Sequence, residues 1–177
     1  MPDPTSFDAL ERDVVETIFA HDPIGATMAG RHEHDDQLGD YSLSAHDAAV
    51  RDFRALLTRL SREPAETLPP ARRIDAALLR SLLETAVAHV EDLRVHRTNP
   101  AYYAERAIYS VYFLLIREHL PLGERVRAMA ARLRAIPDML ATGRSNLADV
   151  PPLFAEVGAQ IADGGAAFMS DVIAYVA

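Results

Sequence analysis

Five consecutive residues, His32-Glu33-His34-Asp35-Asp36, carry the densest chemistry in the chain. On a helix, H-E-x-x-H puts two imidazoles one turn apart and a glutamate beside the metal-bound water of a zinc peptidase. Here the fifth position is Asp36, and Gly30 and Gly39 flank the segment, which argues for a loop rather than a helix. A loop H-x-H can still donate two imidazoles. His32 and His34, with His46, Asp35 or Asp36 completing the shell, are therefore the candidate metal ligands of a small metalloenzyme. The plainer reading has these polar residues capping helix ends and bridging neighbouring elements, and it is the expectation adopted.

The remaining candidates are weaker. A di-iron bundle needs E-x-x-H on two helices, and no glutamate here precedes a histidine by three residues. His89 and His119 read as boundary histidines. Tyr102 and Tyr103, at the start of a strongly apolar segment, are candidates for lining a substrate groove. The arginines at 125, 127, 132 and 134 could grip a carboxylate or phosphate, but they read as a solvated helix face. Neither a nucleophile elbow nor a phosphate-binding glycine loop occurs. Cysteine is absent, which removes thiolate nucleophiles, disulfides and sulfur-ligated metals.

The elements that must position these residues are helical. The 177 residues, 49% hydrophobic and 25% charged, suit a single soluble helical domain spanning 1–177. From Ile108 to Ile116 every residue except Ser110 is apolar, which predicts a central helix buried from more than one side. The run is shorter than the roughly 20 residues of a membrane span. About six to seven helices are expected around it. One, after Pro4-Thr5-Ser6 as a cap, carries Phe7, Leu10, Val14 and Ile18. A short turn covers Ile24 to Ala29, and residues 30–44 form an ordered loop. A second long helix over 45–62 buries Val50, Phe53, Leu56, Leu57 and Leu60. A linker lies between Pro64 and Pro69-Pro70. A third helix, Ala71 to Val95, shows a broad stripe from Leu78 to Leu93. Leu122, Val126, Met129, Leu133 and Ile136 mark another, which Pro137 ends or kinks. The last helix opens at Pro151-Pro152, and Gly164-Gly165 marks a kink or a close approach.

The net charge is −8, concentrated in the first fifty residues, where eleven acids meet two arginines. An acidic surface repels phosphate, so neither nucleic acid nor an anionic membrane is expected as a partner. The acidic N-terminus is unlike a signal peptide, and a cytoplasmic location is expected. The chain ends on FMSDVIAYVA, an apolar helix without a glycine cap or a polar tail. A surface of that kind is expected to be covered, either by a missing C-terminal region or by self-association through Phe168 and Val172.

Four segments in order, IGATMAGRHEHDDQLGDYS, RIDAALLRSLLE, LRVHRTNPAYY and RLRAIPDMLATGRSNL, resemble the N-terminal part of the bacterial family called domain of unknown function 885. The resemblance runs from about Phe7 to Phe168. It implies a large, mostly helical, metallopeptidase-like protein several times longer than this chain. That family's H-E-x-x-H and further glutamate lie downstream of the matched region, so none of its catalytic or zinc-binding residues falls in this sequence. Zinc is thus expected only in the complete family protein, with no cofactor in this chain. In related zincin-like peptidases the N-terminal helices form a wall or lid of the substrate channel. The resemblance therefore implies a non-catalytic helical segment of a hydrolase. A free-standing interaction module that self-associates through its last helix is the alternative.

Overall fold

The computed structural model describes residues 4–63 and 68–176, and all regular structure among them is helical. Eight helices follow one another: α1 (Pro4–His21), α2 (Pro23–Ala29), α3 (Leu43–Leu60), α4 (Pro70–Glu91), α5 (Val95–Thr98), α6 (Ala101–Ile116), α7 (Leu122–Asn146) and α8 (Pro152–Val176). The all-α class is as expected; α5, a single turn, is additional to the elements read from the sequence. The helices fall into two compact units. The linker expected after Pro64 lies largely at residues 64–67, outside the described residues, as do the side chains of the expected Thr5 and Ser6 cap.

The first unit holds α1, α3 and α4. Apolar residues spaced three and four apart bring Phe7, Leu10 and Val14 of α1 onto Ala49, Phe53, Leu56 and Leu60 of α3, closed by Leu79 and Leu83 of α4. Ion pairs ring this core: Arg72 reaches Asp8 at 2.6 Å and Glu11 at 2.8 Å, and Arg59 reaches Asp13 at 2.7 Å. The broad α4 stripe is narrower than its sequence suggests. Leu79 and Leu83 are buried, whereas Ile74, Leu78 and Leu82 are exposed. α4 is held along one line of its surface, and leucines one position off that line turn outward.

The second unit is built on α6, against which α2, α5, α7 and α8 all pack. Its residues divide between two cores. Ile24, Leu38, Tyr41, Tyr103, Ala107 and Met139 form one; Val111, Leu114, Met129 and Val172 form the other. Burial on every side of α6 is not observed, because Tyr109, Tyr112 and Ile116 remain exposed.

Pro137 neither ends nor breaks α7, which continues to Asn146. Proline removes one backbone hydrogen bond, but Met129 and Arg132 before it and Met139, Gly143 and Asn146 after it are all buried. Packing of both halves holds the helix together. Gly143 permits this approach, since a Cβ there would sit 2.6 Å from the Tyr103 ring. α8 is likewise unbroken, and Gly165 marks a close approach, with Ile108 where a side chain would stand.

The arginine face of α7 corrects the sequence reading. Arg127 and Arg134 are exposed, but Arg125 and Arg132 are buried. Arg125 donates to the carbonyls of Leu114, Leu115 and Leu120. It thereby satisfies acceptors that the end of α6 leaves open, and places positive charge at the negative end of that helix.

Candidate functional site

The histidine-rich loop is anchored at its start by α2. The Asp22 carboxylate accepts from the Gly25 amide at 2.9 Å, capping the helix, and Pro23 occupies the first turn. Arg106 grips both oxygens of the same carboxylate at 2.8 and 2.9 Å. Gly30 ends α2 in the left-handed conformation, φ 88°, which turns the chain into residues 31–42.

That loop wraps a fully buried guanidinium. Arg132 donates to the carbonyls of Gln37 (2.9 Å), Ser110 (2.8 Å), Pro23 (3.3 Å) and His34 (3.2 Å), and to the Thr27 hydroxyl (2.7 Å). Burial pulls the Arg132 pKa below its ordinary value, opposed by the charge of Asp35. An arginine nonetheless stays protonated. Among the described residues no carboxylate touches it directly; the Thr27 hydroxyl stands between, donating to Asp35 Oδ1 at 2.7 Å.

Asp35, 7% exposed, is the centre of the site. Its second oxygen, Oδ2, lies 3.0 Å from His32 Nδ1 and 2.9 Å from His119 Nε2. The two imidazoles stack face to face, 3.3 Å between centroids and 5° from parallel. His119 Nδ1–H donates to the Arg117 carbonyl at 3.1 Å, and the Arg117 guanidinium in turn bonds the Met28 carbonyl at the end of α2. One carboxylate oxygen and two imidazole nitrogens thus lie within 4.8 Å of one another. Such a set can pass a proton along Asp–His contacts or hold a cation.

Within the second unit the group gathered around His32 is Asp35 and His119, without His34. His32 joins Asp35, as one of the candidate shells allowed. His34 is half-buried, its Nδ1 has no hydrogen-bond partner among the described residues, and its carbonyl rather than its ring serves Arg132. His46 belongs to α3, in the first unit. The third member, His119, read as a boundary residue, comes from the segment between α6 and α7. No local signal marks it, because its partner lies 84 residues earlier.

Of the two groove candidates, Tyr103 is interior. Its hydroxyl donates to the His96 carbonyl at 2.6 Å and accepts from Asn146 at 3.1 Å. Tyr102 packs edge-on against Tyr41 and Tyr103 and lies under the Arg106 guanidinium, 5.6 Å from the ring centroid. Burial pushes the Tyr102 phenol up to about 12 and raises Tyr41 further.

Fold and site together define an all-helical protein with a buried arginine–carboxylate–histidine relay in its second unit. Residues 23–171 match the family described as "Bacterial protein of unknown function (DUF885)", and the chain belongs to that family. No curated protein matches it. Among solved structures it is similar to one described as "a putative lipoprotein of unknown function from Shewanella oneidensis", with a TM-score of 0.80 and 19% identity. The match covers 90% of this chain and 29% of that one. At that identity the likeness is one of fold, and this chain spans under a third of the other's length. No helix among the described residues is long and apolar enough to cross a membrane.

Proposed function

We propose that this chain acts as a non-catalytic helical segment, a channel wall or lid, in a longer bacterial hydrolase of the metallopeptidase kind. The observation that carries the reading is the state of α8. Among the described residues 152–175 of this helix only Gly158, Gly165 and Val172 are buried, a seam repeating every seven residues. Leu153, Phe154, Val157, Ile173 and Tyr175 stand exposed around it, Tyr175 at 72%. Exposed apolar surface of that extent marks an interaction site. The occupant proposed is further polypeptide of the same chain, supported by the fold match, in which this architecture is less than a third of a longer protein. Location in the cytoplasm belongs to the same proposal.

The self-association alternative changes its residues. Val172 is buried within the chain and Phe168 is partly buried against the same core, so any dimer face would use Leu153, Phe154 and Val157. The test expresses the chain alone and joined to whatever polypeptide is encoded directly after Ala177. Alone, it should not cleave peptides with added zinc, and the exposed face of α8 should bind an apolar dye. Joined, that face should become protected from hydrogen exchange and from the dye. Zinc-dependent peptide cleavage by the chain alone, lost on His32→Ala, would overturn the reading. So would a stable dimer that covers Phe154 and Val157.

A further inference from the structure

We infer that His32, Asp35 and His119 form a binding site for a divalent metal ion of the zinc class, within this chain and separate from any zinc bound downstream in the family. The candidate ligands read from the sequence are His32, His34 and His46; the geometry offers another set. Three observations carry it. One ligand atom each of His32, Asp35 and His119 lies within 4.8 Å of the other two, and His32 Nδ1 and His119 Nε2 stand 3.0 and 2.9 Å from Asp35 Oδ2. Two imidazoles and one carboxylate, with no thiolate, suit zinc, cobalt, nickel or copper rather than magnesium or calcium, which take oxygen.

The second observation is the tautomer of His119. Its Nδ1 faces the Arg117 carbonyl at 3.1 Å, an acceptor only, so the proton sits on Nδ1. In the neutral ring Nε2 then presents a lone pair to Asp35 Oδ2 only 2.9 Å away. Two lone pairs at that distance repel unless a cation, a second proton or a metal, lies between them. A histidine that ligates a metal through one nitrogen usually donates the other to a carbonyl, as here.

The third is the support behind Asp35. Oδ1 is occupied by Thr27, itself held by Arg132, which leaves Oδ2 to bind through one oxygen. One adjustment is required. The stacked rings are 5° from parallel, so their in-plane lone pairs run side by side and one ring must turn to share an ion. His119 is free of helical constraint, lying between α6 and α7.

The test strips the purified chain with chelator and titrates it with zinc by calorimetry and with cobalt by visible absorption. One equivalent should bind, and His119→Gln and His32→Gln should each weaken affinity by at least about tenfold. Circular dichroism and thermal melting confirm that the variants fold. His34→Gln, adjacent in sequence but outside the set, should bind as the parent does. Failure of the folded parent chain to bind one equivalent overturns the site, as does a His34→Gln defect equal to that of His119→Gln. A His119 ring that nuclear magnetic resonance shows doubly protonated, with zinc added and unbound, identifies the cation as a proton and also overturns it. Peptide cleavage enters none of these readouts, so the result is independent of the hydrolase reading.

Discussion

Arg132 and Thr27 meet through a 2.7 Å hydrogen bond in the interior of the second unit, 105 residues apart in sequence. The Thr27 hydroxyl accepts from the guanidinium and donates to Asp35, so a buried cation and a buried carboxylate neutralise one another through a single neutral group. This relay fastens the histidine-bearing loop to α2 and α7.

Removing the guanidinium should therefore cost more than removing an ordinary surface arginine. Arg132→Met removes a buried donor to the carbonyls of Pro23, His34, Gln37 and Ser110 and takes away the cation that faces Asp35 through Thr27. Loss of one partner of a buried ionic network costs about 3–5 kcal/mol. Thr27→Val, which keeps the shape but orphans Asp35 Oδ1, should cost about 1–3 kcal/mol. Denaturant unfolding of both variants beside Arg134→Met, an exposed position on the same helix, measures the difference. Equal midpoints for Arg132→Met and Arg134→Met would remove the relay from the argument.

The glycines make a sharper test of packing, since a glycine of α7 and one of α8 should respond with opposite sign. A Cβ at Gly143 would fall 2.6 Å from the Tyr103 ring, which is itself fixed by hydrogen bonds to His96 and Asn146 and has no room to retreat. Gly143→Ala should destabilise by about 1–3 kcal/mol through overpacking. At Gly164 a Cβ meets nothing within 4 Å. Gly164→Ala should then stabilise by up to about 1 kcal/mol, the helix propensity difference alone. Thermal melts of the two variants decide it.

The tyrosine cluster gives an alkaline signature. Burial raises the Tyr41 and Tyr102 phenols above the ordinary value near 10, Tyr102 to about 12, because the interior disfavours phenolate. A group whose folded pKa is raised contributes stability that is complete below its unfolded pKa and is lost as pH rises towards the folded one. Stability should thus decline from about pH 10 towards 12, and Tyr102→Phe should flatten that decline. Ultraviolet titration alongside unfolding at each pH checks the sign; a decline unchanged in Tyr102→Phe would show that the phenol is not its source.

Helical spacing was enough to read α1 and α3: Phe7, Leu10 and Val14, then Val50, Phe53, Leu56 and Leu60, are where a 3.6-residue period puts them. The relay was hidden by the same rule. Arg125 and Arg132 share a face of α7 with Met129, Met139 and Gly143, so the true buried stripe lies about one position from the apolar one. A charged residue on such a stripe reads as solvated, because its acceptors are backbone carbonyls that no side-chain pattern announces. Asp35 and His32 were visible as chemistry. His119 was not, since a lone histidine in a short connection acquires meaning only when the fold brings it to a partner. The α4 leucines show the converse limit: periodicity tells that Leu78 and Leu82 lie beside Leu79 and Leu83, not how wide the covering surface is.

The surface of α8 separates two kinds of apolar residue on one helix. Phe154 and Val157 are exposed, whereas Val172 is 3% exposed in the core with Val111, Leu114 and Met129. A double Phe154→Ser, Val157→Ser change should leave folding stability within about 0.5 kcal/mol, as surface substitutions do, while reducing dye binding and any association of the isolated chain. Val172→Ala should lower stability by about 1–3 kcal/mol and leave dye binding to the native state unchanged, because it removes methyl groups from a packed interior. Unfolding curves, dye fluorescence and light-scattering mass on the same preparations separate the two. A large loss of stability from the serine pair would mean that this face is already occupied within the chain, and the docking argument for α8 would fail with it.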